Sequence, residues 1–181
     1  MNVYFDTEFT GLHKGTTLIS IGLIASNGKK FYAEIVDYDR SQVNDWIKEN
    51  VINNLWAVSK TIDECSKFEY YHLGTKEQIA QKLKEWFLEF DSVQLISDVA
   101  HFDMVLLIDL FGGAFDLPKN VNPSCHDINQ DIAKFLGVTE REAFDVSREC
   151  FLGICLSNEK HNALYDAKVI KAIYEIMNKN K

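Results

Sequence analysis

Asn27-Gly28 stands between two apolar, strand-like runs and constrains this chain more than any other dipeptide, because such a pair takes the turn that folds one strand back on its neighbour. The flanking runs are Thr17–Ser26 and Lys30–Asp37, and a third, Asn2–Phe9 (NVYFDTEF), precedes them. Three strands are therefore expected before any helix. Beyond them the apolar spacing lengthens. A helical region opens at Ser41, with Val43, Trp46, Ile47, Val51, Ile52 and Leu55 as its apolar positions, and a clearer helix follows from Thr75, with Ile79, Leu83, Trp86, Phe87 and Phe90 on one face. Ser92–Ser97 reads as a fourth strand that feeds an apolar helix from His101 to Gly112-Gly113. A short helix from Ser124 closes at Gly137, and Thr139-x-x-Glu142 has the form of a capping box. The last helix runs from Asn162 towards Lys179, with Leu164, Ala167, Ile170, Tyr174 and Met177 inward. This order is that of an α/β fold, a mixed central sheet flanked by helices, and 181 residues suit a single domain over 1–181.

No uninterrupted apolar run reaches bilayer length and no signal-type segment opens the chain, so a cytoplasmic protein without membrane partners is expected. Cys65, Cys125, Cys150 and Cys155 form no Cys-x-x-Cys pair, which argues against a zinc knuckle and for buried, reduced thiols. A net charge of -8 excludes a broad basic surface that coats long nucleic acid. It leaves open a short or terminal phosphodiester, provided divalent cations bridge carboxylates to phosphate.

The first strand carries a peculiarity. Side chains at i and i+2 of a strand point the same way, so Asp6 and Glu8 project together while Phe5, Thr7 and Phe9 face the other side. Two acids this close repel unless a proton or a cation intervenes. Further acids stand at a strand-to-helix junction (Asp103) and in the first turns of the last helix (Asp166), with His161 just before it. Each alone has an ordinary explanation: an exposed strand edge, a complement to a helix dipole, a solvated helix acid, a surface histidine. His126-Asp127 is a rival pair, with Asp127 a routine acid at a helix start.

Together, DTEFTGL (Asp6, Glu8), AHFDMVLL (Phe102, Asp103) and HNALYDA (His161, Asp166) resemble, in order, the three motifs of the DEDDh family of 3′-5′ exonucleases, and are similar to its small exoribonuclease-like branch rather than to polymerase proofreading domains. The resemblance implies an RNase H-like fold. It implies two divalent ions, Mg²⁺ or Mn²⁺, held by Asp6, Glu8, Asp103 and Asp166, with those acids and His161 catalytic and His161 the general base. The implied reaction hydrolyses phosphodiester bonds from the 3′ end of single-stranded or short nucleic acid, RNA favoured and DNA possible, releasing nucleoside 5′-monophosphates. Thr7, Phe9, Leu12 and Phe102 are candidates for substrate contact, since stacking tolerates any base. The family also makes a homodimer reasonable. One departure is Val99, where the family often carries Asn. The alternatives are an RNase H-fold endonuclease and a catalytically silent module that binds nucleic acid or a nucleotide.

Overall fold

The computed structural model describes residues 1–153 and 160–179. Its strands are β1 (Asn2–Phe9), β2 (Leu18–Ala25), β3 (Lys30–Ile35), β4 (Tyr71–Gly74), β5 (Gln94–Ser97) and β6 (His126–Asp127). Its helices are α1 (Asp45–Asn50), α2 (Trp56–Ser59), α3 (Ile62–Cys65), α4 (Lys76–Phe87), α5 (His101–Leu110), α6 (Ile128–Leu136), α7 (Glu140–Asp145), α8 (Arg148–Leu152) and α9 (Ala163–Asn178). The strands form one six-stranded sheet in the order β4-β3-β2-β1-β5-β6. β2 is antiparallel to both β1 and β3, and the remaining pairings are parallel. The expected turn joins β2 to β3, with Gly28 at φ 90° and its N–H donating to the Ala25 carbonyl at 2.9 Å.

The alternation of β1 assigns its two faces. Val3 and Phe5 enter a core with Ile79, Leu83 and Phe87 of α4 and Leu106, Leu107 and Leu110 of α5. Tyr4 enters the opposite core, with Ile128 and Ile132 of α6 and Ala167, Ile170 and Ile173 of α9. Asp6 and Glu8 continue the Tyr4 face, so the strand's period of two directs both acids to the side on which α9 lies. The register shifts between Glu8 and Phe9, an irregularity of the kind that re-aims side chains beside active sites.

Several expectations need correction. The region from Ser41 is not one helix: a 3₁₀ turn (Arg40–Gln42), α1, a second 3₁₀ turn (Ile52–Asn54) and α2 follow one another, since Asn44 caps α1 and Leu55 is extended. β4 and β6 were not anticipated, and β6 takes up His126-Asp127, with Asp127 as the N-cap of α6. Cys65 is buried but Cys125 is only partly so and Cys150 is exposed; Cys155 lies outside the described residues. Tyr174 is half-buried against the second core. The Thr139 capping box and the Asn162 cap of α9 form as expected.

Candidate active site

A cleft of about 730 Å³ opens where β1 meets α9. It is lined by Asp6, Thr7, Glu8 and Phe9 of β1, by His161 and Asp166 at the start of α9, by Leu12 and Trp46, and by Val99 with the α7–α8 segment. One oxygen each of Glu8 and Asp166 and one ring nitrogen of His161 lie within 4.8 Å of one another. Asp103 arrives from the α5 face and meets β1 through Thr7. Its Oδ1 accepts from the Thr7 N–H at 3.0 Å and the Thr7 hydroxyl at 2.5 Å, and its Oδ2 from the Ser97 hydroxyl at 3.0 Å.

Burial, and after it repulsion, shows in the acid strengths. Burial, and after it Asp103, Asp166 and Glu8, hold the Asp6 carboxyl well above the usual range. Burial followed by Asp166 and Asp103 does the same to Glu8. Burial pushes Asp103 up to about 6, opposed by the bonds from Thr7 and Ser97. Burial raises Asp166 to about 7, opposed by the His161 N–H, which donates to its Oδ2 at 3.0 Å. Burial foremost, then Lys160, lowers the pKa of His161, with Glu149 opposing, so its imidazole is neutral and able to accept a proton near pH 7.

The cleft wall carries six acids (Asp6, Glu8, Asp98, Asp145, Glu149, Asp166) against two bases, Arg148 and Lys160. Both bases are engaged. Arg148 forms a two-pronged bond to Asp98 at 2.5 and 2.8 Å and also donates to the Ala143 and Val146 carbonyls, while Lys160 faces Glu149 at 3.7 Å. A phosphate entering such a wall needs added positive charge. The donors at the site are hard oxygens and one imidazole, with no thiol among them, which fits Mg²⁺ or Mn²⁺.

The model of the Rv2179c-like 3′-5′ exoribonuclease domain matches residues 1–177. The chain belongs to this family. This exoribonuclease is 28% identical over 133 residues to the 3′-5′ exoribonuclease Rv2179c of Mycobacterium tuberculosis (strain ATCC 25618 / H37Rv), spanning 72% of this chain and 73% of that protein. The 3′-5′ exoribonuclease MT2234.1 of strain CDC 1551 / Oshkosh gives the same figures. Two solved structures share the fold. The nuclease domain of 3′hExo, a DEDDh family member bound to rAMP, superposes with a TM-score of 0.68 at 14% identity, covering 99% of this chain and 92% of that one. A 3′-exonuclease that recognises the 3′ end of a histone mRNA stem-loop gives 0.64 at 14%, covering 99% and 81%. The fold is RNase H-like, shared with these nucleases, and the activity of the family is that of a 3′-5′ exoribonuclease. No helix among the described residues is long and apolar enough to cross a membrane.

The other anticipated residues of the exoribonuclease fall as follows. Phe9 lines the cleft and Phe102 stacks on it (centroids 5.5 Å, 20° between planes), outside the wall itself. Leu12 is 77% exposed at the rim. Thr7 is buried and engaged with Asp103. His126 is drawn to Asp131 at 2.5 Å. Four contributors went unread in the sequence. Trp46, read only as an apolar position of a helical region, is 55% exposed, and its ring and that of His161 meet edge to face, centroids 5.1 Å apart. Asp98 and Arg148 pair only through the fold. Gly22, opposite Asp6 in the sheet, lets α9 lie on the strand backbone: a Cβ there would stand 2.3 Å from the Ala163 carbonyl carbon and the Leu164 nitrogen.

The two non-glycine residues with positive φ among those described, Val99 (54°) and His161 (62°), both line this cleft. For a β-branched residue that conformation costs roughly 1–3 kcal/mol, and it is held by the Asp127 carboxylate, which accepts the Val99 N–H at 3.1 Å. Strain collects at the site of this exoribonuclease.

The raised acids link metal to pH. An ordinary carboxylate titrates near 4, so with Asp103 at about 6 and Asp166 at about 7 the folded protein holds protons that the unfolded chain has released, and the stability of the metal-free form falls as pH rises across that range. The lowered pKa values of His161 and His72 act in the opposite sense. A cation that replaces the protons removes the cost. The gain in melting temperature on adding Mg²⁺ is therefore expected to grow from about pH 6 to about pH 8; a constant gain would mean these acids do not meet the ion.

Proposed function

We propose that this exoribonuclease trims the 3′ end of single-stranded RNA one nucleotide at a time in the cleft beside α9, releasing nucleoside 5′-monophosphates. The gathering of Asp6, Glu8, Asp166 and His161 in one cleft, from β1 and the start of α9, with Asp103 of α5 bonded to Thr7 between the two β1 acids, supports this proposal. Asp6, Glu8, Asp103 and Asp166 would hold the divalent ions, Mg²⁺ or Mn²⁺. When bound, the cations supply the charge that neutralises the phosphate and polarises its oxygens. His161 takes the proton of the attacking water, a role suited to an imidazole kept neutral by burial and placed beside Glu8 and Asp166. Its N–H on the Asp166 carboxylate fixes the loop that carries the ring. Thr7 and Ser97 hold both Asp103 oxygens in place. Leu12 and Trp46, both exposed residues of the cleft lining, offer apolar surface to the terminal base, and Phe9, backed by Phe102, lines the cleft with them.

RNA is favoured as substrate because the relatives that match over most of the chain are exoribonucleases. Matched 5′-labelled RNA and DNA strands test all of this in one gel. The expected result is a ladder that shortens from the 3′ end, faster on RNA, abolished by EDTA and restored by Mg²⁺ or Mn²⁺. Internal fragments at the earliest times would instead indicate an endonuclease, and cleavage that survives excess chelator would remove the cations from the chemistry.

A further inference from the structure

Glu34 of β3 is 1% exposed and takes no part in the cleft, yet it collects four hydrogen bonds. The Tyr32 hydroxyl donates to its Oε1 at 2.8 Å and the Trp56 N–H to the same oxygen at 2.5 Å; the Tyr71 hydroxyl at 2.9 Å and the Ala57 N–H at 3.0 Å donate to Oε2. A carboxylate only accepts, so the single hydroxyl hydrogen of Tyr32 is committed to Glu34. The Tyr32 oxygen can then offer only a lone pair to its other neighbour, the Asn162 amide, which donates to it from Nδ2 at 3.0 Å. With its NH₂ held there, and more loosely by the Asn54 carbonyl at 3.4 Å, Asn162 turns its carbonyl oxygen to the Tyr165 N–H at 3.2 Å and caps α9. Asn162 directly follows His161, and the helix it caps carries Asp166. Asn54 ties the other side, donating from Nδ2 to the Lys160 carbonyl at 2.9 Å.

We propose that Tyr32, oriented by Glu34, is a positioning residue for the reaction: its hydroxyl sets the direction of the Asn162 amide and so holds the start of α9, with His161 and Asp166, in the geometry that turns over substrate. This inference rests on the site described under the proposed function.

Tyr71 provides the control. Tyr32→Phe and Tyr71→Phe each delete one hydroxyl from Glu34, but only the first touches Asn162. In the protein loaded with Mg²⁺, Tyr32→Phe is expected to lower kcat by about 10- to 100-fold with KM unchanged, the usual range for groups that orient catalytic residues, while Tyr71→Phe stays within about twofold of the wild type. Hydrogen exchange gives a reading that does not depend on activity: the Tyr165 amide should exchange faster in Tyr32→Phe and as in the wild type in Tyr71→Phe. Equal losses of kcat in the two variants, or unaltered Tyr165 exchange in Tyr32→Phe, would overturn the link itself. Faster exchange with kcat intact would also overturn the proposal, since the cap of α9 would then loosen without cost to turnover; failure of the site reading itself is separate, and would show as near-normal kcat in His161→Ala.

Discussion

Asp6→Asn is expected to stop the trimming of RNA 3′ ends, lowering kcat by about 10²–10³-fold or more, and to raise the melting temperature of the metal-free protein. The two effects have one cause. Burial first, and then Asp103, Asp166 and Glu8, push the Asp6 pKa upward, because a negative charge is costly away from water and near others of its sign. Asparagine keeps the shape and removes the charge. Repulsion is relieved, and each kcal/mol of relief is worth about 2–4 °C for a protein of this size. The anchor for a cation is lost in the same step. Melts in EDTA alongside single-turnover assays in Mg²⁺ measure both. A clear fall in melting temperature would mean that Asp6 is a structural acid, and near-normal turnover would remove it from the site.

Gly22→Ala carries the second large effect, although residue 22 bears no chemistry. The added methyl would stand 2.3–2.4 Å from the backbone of Ala163 and Leu164, inside any tolerable contact, and backbone cannot rotate away as a flexible side chain would. The start of α9 must lift from the sheet. A misplacement near 1 Å can cost about 10²-fold in rate, and overpacking of this kind costs about 1–3 kcal/mol in stability. Turnover should therefore fall far more than the melting temperature indicates, while the fold, judged by circular dichroism, persists. A variant with wild-type kcat would show that α9 does not need to rest on β2 to complete the site.

Asp6, Glu8, Asp103, Asp166 and His161 each have an ordinary explanation alone and stand out in the sequence only through the resemblance of three motifs taken together and in order. Local pattern places the acids on elements: a strand of period two for Asp6 and Glu8, a strand-to-helix junction for Asp103 and the start of a capped helix for Asp166. What escaped notice lacks a local signature. β4 is a short edge strand with Tyr71, His72 and Leu73 all partly exposed, so no alternation betrays it, and β6 has only two residues. Gly22 sits in an apolar run where nothing marks which residue an incoming helix will touch. Glu34 reads as an ordinary acid in KFYAEI until Tyr32, Trp56, Ala57 and Tyr71 are seen to surround it. Trp46 matched a helical stripe, but the stripe broke when Asn44 started a new helix and the ring was left at the cleft. Arg148 and Asp98 lie 50 positions apart and meet only in the fold.

The dependence of the cleft on α9 also bears on how the enzyme is made. In chain order Asp6 and Glu8 of β1 precede the rest of the site, and Asp103 follows in α5, directly after β5. A nascent chain with β1 to α5 in place thus already displays three acids, yet it lacks Asp166, His161 and the helix that seats them on Gly22. Chains fold as they are synthesised, from the N-terminus on. On the site proposed above, a chain that lacks α9 is expected to be inert, so that the messenger RNA being translated, the nearest RNA of all, stays out of its reach until α9 has been made.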